Sequence, residues 1–172
     1  MTGKYPARTK SPGPGSQLKS SEYTIAEALK DNGYSTFIAG KWHLSRGKSG
    51  SSPEEQGFDQ NYGGGDSGVP KSYFYPYNIQ TRGRGNENAP DITKLPEVEK
   101  GYHLTDQLTD LTLDWIDKNY VSKKSKKPFF IYLSHYEVHT PFEGKLDLEE
   151  KYKAKAERLS LIHISEPTRL AT

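Results

Sequence analysis

The stretch Gly33-Tyr34-Ser35-Thr36-Phe37-Ile38-Ala39-Gly40-Lys41-Trp42-His43-Leu44 constrains this chain more than any other. It is entered from a helix. Thr24-Ile25-Ala26-Glu27 reads as a capping box, with Thr24 as the N-cap and Glu27 at the third helical position. Ile25, Ala28 and Leu29 share one face of that helix. Asn32-Gly33 ends it, because glycine takes positive φ at little cost. Tyr34 to Ile38 then suit a strand. Side chains two apart in an extended chain point the same way. A strand that runs on past Gly40 therefore presents Lys41 and His43 together, with Trp42 on the other face. An ammonium beside an imidazole suits an anionic, tetrahedral group, and the imidazole can also move a proton near neutral pH. The ammonium disfavours protonation of the ring next to it. Ligands of α/β sheets sit outside the carboxyl ends of strands, which is where this pair falls. Lys-x-His alone is common, and an ordinary polar loop explains the pair about as well.

A second strand-like run has the same ending. Phe129-Phe130-Ile131-Tyr132-Leu133 is continuously apolar and predicts a strand buried on both faces. It leads into Ser134-His135-Tyr136-Glu137-Val138-His139-Thr140-Pro141-Phe142. Between the two runs, residues 45–103 look mostly irregular. Gly57-Phe58-Asp59 and Gly63-Gly64-Gly65 predict turns around one buried aromatic. Tyr73-Phe74-Tyr75-Pro76-Tyr77 is best read as packing the long loop onto the domain. Its alternative is a stacking platform for a sugar or aryl group. Leu104, Leu108, Leu111, Trp115 and Ile116 predict a helix over about 105–119, with Thr105 as N-cap. Asp106, Asp110 and Asp114 share a face of it. A solvated face is favoured there over a cation site, since such sites use converging loop oxygens. Residues 143–158 are charged and helix-prone, with Leu146, Leu148 and Tyr152 as modest anchors.

Composition narrows the class. The chain has 172 residues, enough for one domain, but only 32% are hydrophobic, against a usual apolar share of about 45–50%. That points to a loop-rich piece of something larger. A net charge of +2 gives no argument for nucleic acid. The basic loop Ser122-Lys123-Lys124-Ser125-Lys126-Lys127 is short and lacks interleaved aromatics. With no cysteine there is neither a disulfide framework nor a thiolate metal site. No run approaches the roughly 18 apolar residues of a membrane span, and no apolar segment comes after Met1-Thr2-Gly3-Lys4 to make a signal peptide.

The string G-Y-S-T-F-I-A-G-K-W-H-L resembles the second signature of the type I sulfatases, which include arylsulfatases and carbohydrate sulfatases. Met1-Thr2-Gly3-Lys4-Tyr5-Pro6-Ala7-Arg8 resembles the T-G-x-Y-P-x-R string that ends the first signature. Gly57-Phe58-Asp59, the Tyr102-His103-Leu104-Thr105-Asp106 segment and the P-F-F-x-Y-x-S…H-T-P pattern up to Pro141 resemble later family segments in the same order. The resemblance covers about residues 1–158. It implies part of an α/β sandwich related to alkaline phosphatase, with a mostly parallel central sheet. The implied reaction is hydrolysis of a sulfate ester, a sulfated carbohydrate among the candidates, by a formylglycine made from Cys or Ser in a C/S-x-P-x-R motif. The implied roles are sulfate binding and stabilisation of the aldehyde hydrate for Lys41. For His43 they are a hydrogen bond to the formylglycine hydroxyl and basic help in expelling sulfate. For His139 they are sulfate binding and protonation of the leaving oxygen. His135 has no such role and is expected nearby.

The departures are equally specific. The family's Ca²⁺ is held by an Asp pair and an Asp-Asn pair, neither assignable here, so no metal ligand is named. The nucleophile motif, its Arg and a later Lys are expected to lie outside the chain, which reads as a central slice that is inactive alone. The resemblance further implies a periplasmic or secreted parent. A phosphatase or phosphonate hydrolase of the same superfamily, a non-catalytic sulfated-glycan binder and a purely structural piece remain alternatives. Residues 159–172 resemble the in-frame translation of a transposase sequencing adapter, and the functional reading leaves them out.

Overall fold

The computed structural model describes residues 1–10, 13, 16–45, 51–79, 88–123 and 125–158. They fall into two compact units, one over Met1–Phe142 and one beginning at Glu143. In the first unit, helix α1 spans Ile25–Asp31. The capping box is formed: the Glu27 N–H donates to Thr24 Oγ1 at 3.2 Å, and the Thr24 N–H donates to Glu27 Oε2 at 2.8 Å. Thr24 Oγ1 also donates to the Gln56 carbonyl at 2.7 Å, which pins the helix start to a later loop. That loop lies against the first turn of α1 and decides which face is covered. Ala26 is fully buried, whereas Ile25 stays 47% exposed, so Ile25 is not part of the packed face.

Strand β1 spans Ser35–Gly40, β2 spans Gln60–Tyr62 and β3 spans Phe129–Ser134. The sheet order is β2-β1-β3, and both pairings are parallel. β2 escapes sequence reasoning because three polar-flanked residues carry no period. It is placed by side chains instead. The Thr36 N–H donates to Asp59 Oδ2 at 2.9 Å, and Thr36 Oγ1 donates to the Gly57 carbonyl at 2.6 Å.

The core lies on both faces of β1, as the strand's alternation requires. Phe37 and Ala39 pack with Tyr73, Tyr77, Ile92, Leu104, Leu108, Trp115 and Tyr136. Ile38 packs on the other side with Leu18, Ala26, Trp42 and Phe58. The aromatic stretch at 73–77 thus packs its loop onto the domain. Helix α2 spans Leu104–Ile116 and continues into a wider turn over Asp117–Val121. Its cap lies two residues earlier than expected: His103, not Thr105, is the N-cap. On its outer face Asp110 accepts from the Tyr102 hydroxyl and Asp114 pairs with Lys118, as a solvated face does.

Two expectations about burial fail. β3 is not covered on both faces, since Phe129, Tyr132 and Leu133 are 42%, 36% and 37% exposed. Among the described residues β3 pairs with β1 alone and forms an edge of the sheet. A continuously apolar run describes a strand flanked on both sides, and here one flank is present. In the second unit, α3 spans Leu146–Arg158, but Leu146, Leu148 and Tyr152 are exposed rather than anchoring. Residues 159–172 lie outside the described ones.

Gly40 closes β1 for a steric reason. Its φ is 104°, and a Cβ there would sit 2.0 Å from the Ser134 carbonyl oxygen. Backbone cannot yield as a flexible side chain can. Gly40→Ala is therefore expected to destabilise the chain by about 2–4 kcal/mol. Urea unfolding checks this, and an unchanged midpoint would show that the strands part without cost.

Candidate active site

Gly40 and Ser134 are partners at the carboxyl ends of β1 and β3, so the segments leaving the two strands emerge side by side. The junction is tied twice. The Lys41 N–H donates to the Ser134 carbonyl at 2.7 Å, and Ser134 Oγ donates to the Lys41 carbonyl at 2.7 Å. The strand does not continue past Gly40, so the condition for Lys41 and His43 to share a pleat face is not met. Trp42 inserts among Ile38 and Phe58, and its indole N–H donates to the Ser51 carbonyl at 3.0 Å. That anchor turns the chain, and His43 sits in the left-handed region with φ 56°. Trp42 packs on the Ile38 side of the sheet, and a two-residue pleat is not what brings Lys41 and His43 near each other.

Lys41 and His139 both act on the His43 ring. The His43 pKa lies below the usual imidazole value, chiefly because the ring is partly buried, then because of the Lys41 charge, then because of His139. Burial, not the neighbouring ammonium, comes first. The Lys41 ammonium is also held below its ordinary pKa, by burial.

His139 is exposed. Its N–H donates to the Tyr136 carbonyl at 3.1 Å, and its own carbonyl accepts from the Tyr73 hydroxyl at 3.1 Å. Its Nδ1 lies 3.1 Å from Thr140 Oγ1, which leaves Nε2 for a ligand. His135 is half-buried beside this junction, and its Nδ1 has no hydrogen-bond partner among the described residues. Glu137 is turned away toward α2, where it accepts from Thr105 Oγ1 at 2.8 Å and approaches His103 Nε2 at 3.4 Å.

Sequence reasoning did not single out Ser134, Gly65, Gly68 or Tyr73 as individual contributors. The His43 N–H donates to the Gly65 carbonyl at 3.0 Å, and the His43 ring lies directly against Gly68. Glycines at such contacts have no periodic signal, and Tyr73 was legible only as one of an aromatic group. Next to Gly65 opens a cavity of about 380 Å³, with Ser45, Asp66, Thr93 and Lys94 in its wall.

Calcium takes oxygen ligands, whereas this site offers two imidazoles and an ammonium. Among the described residues no group of three or more His, Asp or Glu side chains converges to hold a metal. The residues here do not fit calcium, and no step is routed through it. The expected lack of a C/S-x-P-x-R string needs a correction by letter. Ser165-Glu166-Pro167-Thr168-Arg169 fits its serine form. Those residues lie outside the described ones, and they come after the other strings where the family order puts the motif first.

Comparison with known proteins agrees with this architecture. The family model "Sulfatase" matches residues 1–161. An arylsulfatase of Hemicentrotus pulcherrimus is 30% identical over 167 residues, covering 81% of this chain and 27% of that protein. An N-acetylgalactosamine-6-sulfatase of Mus musculus is 29% identical over 136 residues, covering 72% of this chain and 24% of that one. The chain thus spans about a quarter of the length of these relatives. The crystal structure of Ps i-CgsB is similar at a TM-score of 0.60 and 26% identity, over 90% of this chain and 36% of that one. The fold is α/β of the alkaline-phosphatase-like class, built here on a parallel sheet. With a family model matched along nearly its whole length, the chain belongs to the sulfatase family.

Proposed function

We propose that Lys41, His43 and His139 form the sulfate-binding side of the active site of a sulfuric ester hydrolase. The observation that supports this reading is the pairing of β1 with β3, whose carboxyl ends lead into Lys41 and His43 on one strand and toward His139 on the other, with His43 feeling both Lys41 and His139. A formylglycine, when present, supplies the attacking hydroxyl. The rest is work for this chain's own groups. The Lys41 ammonium donates to sulfate oxygens and offsets the negative charge that grows as the ester bond breaks, usually the largest single catalytic contribution. His139, through Nε2, gives a proton to the departing alcohol oxygen. His43, neutral at pH 7 because its pKa is lowered, accepts a proton when sulfate is expelled. The cavity beside Gly65 gives room for part of the alcohol. The named relative that acts on an N-acetylgalactosamine sulfate supports a sulfated sugar as that alcohol.

The chain by itself is expected to bind inorganic sulfate weakly and to turn over no aryl sulfate. Lys41→Ala should abolish the binding seen by NMR titration. Hydrolysis of an aryl sulfate by the purified chain above a buffer blank would contradict the division proposed here. Tighter binding of phosphate than of sulfate would favour a phosphatase of the same superfamily.

A further inference from the structure

We propose that the loop over residues 65–73 is a positioning element for both histidines, with Gly68 as the seat of the His43 ring and Tyr73 as the tether of His139. The assignment of chemistry to these histidines rests on the function proposed above, but the placement rests on contacts alone.

The loop reaches His43 at two points. The Gly65 carbonyl accepts the His43 N–H at 3.0 Å. A Cβ built on Gly68 would lie 2.4, 2.6 and 2.7 Å from Cε1, Nδ1 and Nε2 of the His43 ring. Three ring atoms at nearly one distance mean that the imidazole lies flat on the glycine. Those ring atoms are also the three nearest neighbours of that position, so His43 is what the missing side chain makes room for.

The same loop reaches His139. That residue is exposed, and so are Glu137, Val138 and Thr140 around it. Burial therefore cannot fix its place. Two hydroxyls do so from either end. Tyr136 donates to the Gly63 carbonyl at 2.9 Å, and Tyr73 donates to the His139 carbonyl at 3.1 Å. Tyr73 is a firm base for this, being 1% exposed with its ring parallel to that of His103 at 5.9 Å. The loop is stiff at its start as well. The Asn61 side chain closes on Gly64, accepting from its N–H at 2.9 Å and donating to its carbonyl at 2.9 Å. Further on, Ser67 Oγ donates to the Val69 carbonyl. One segment between β2 and α2, tied at several points by hydrogen bonds, thus contacts a ring from β1's end and a backbone from β3's end.

The test uses the chain with isotope-labelled histidine. Gly68→Ala adds a methyl whose clash is with a side-chain ring and not with backbone, at a position without left-handed φ, so the fold is expected to survive. Relief to ordinary contact distances displaces the ring by roughly 1 Å. The expected result is a changed His43 ring resonance and a titration midpoint moved up toward the ordinary imidazole value. The His139 ring and the amide spectrum elsewhere should hold. Tyr73→Phe keeps the ring and removes the tether. It should increase fast backbone motion at His139, read from the amide heteronuclear NOE, and leave the His43 titration in place. In the full-length parent, Gly68→Ala should lower kcat about 10–100-fold with little change in KM. An unchanged His43 ring in Gly68→Ala, or an unchanged His139 amide in Tyr73→Phe, overturns the proposal. If Gly68→Ala does not fold, the Tyr73→Phe result decides alone. Both NMR readouts are independent of turnover. Failure of the sulfatase reading would show instead as a parent that has the positioned histidines and hydrolyses no sulfate ester.

Discussion

Replacing His43 with alanine in the full-length parent is expected to uncouple release of the alcohol from release of sulfate. Alcohol should come off in a burst, and turnover should then slow by about 10²–10⁴-fold, the usual worth of a positioned base. The physical ground is the lowered pKa of His43, set first by burial and then by Lys41 and His139. A ring that is neutral at working pH can take a proton, and its loss weakens the step that needs one. The neutral form is lost as pH falls through the lowered pKa, so the acid limb of wild-type turnover lies below about pH 6.5. That limb should vanish in the alanine variant. Rapid-quench measurement of alcohol and sulfate separately decides the matter. A variant with no burst, or with an unaltered acid limb, would show that His43 serves substrate binding only.

His139→Ala is expected to act on the earlier step. His139 is exposed, with Nδ1 near Thr140 and Nε2 left for the substrate. A proton delivered there matters most when the alcohol is a poor leaving group. Aryl sulfates with acidic phenols should lose little, while sugar or alkyl sulfates should lose about 10²–10⁴-fold. The slope of log kcat/KM against leaving-group pKa should steepen. A uniform loss across leaving groups would make His139 a binding group without a role in proton transfer.

Much of the candidate site's place in the fold was legible because its two halves obey one rule. An apolar run leading at once into Lys41 and His43, and another leading into His135 and His139, each suggested a strand with polar groups at its carboxyl end. The sheet then set those ends side by side. The capping box at Thr24 and the core positions Leu104, Leu108 and Trp115 were equally open to local reasoning. What escaped was tertiary. β2 is too short to carry a period. Ile25 is on the capping-box helix, but the Gln56–Gly57 loop decided which face was covered. The turn at Trp42 came from packing against Phe58 and not from the pleat. Gly68 matters for a side chain it lacks, and no composition or spacing announces that. The exposure of β3 was misread because an apolar run tells what could cover it, not what does.

The pairing of Gly40 with Ser134 also makes the anion site a reporter of alignment between strands. A slip of β3 by one residue would carry its end about 3.3 Å along β1. The same slip would turn each side chain to the opposite face. The Lys41–Ser134 ties and the approach of His139 to His43 exist only in the native alignment. Misaligned and unfolded chains thus have no site to offer. If the proposed site binds sulfate only in the native alignment, sulfate should favour that alignment by mass action, by about 2.7 kcal/mol at a hundred times its dissociation constant. On that reading, a small anion in the refolding buffer would act as a proofreading agent for strand pairing.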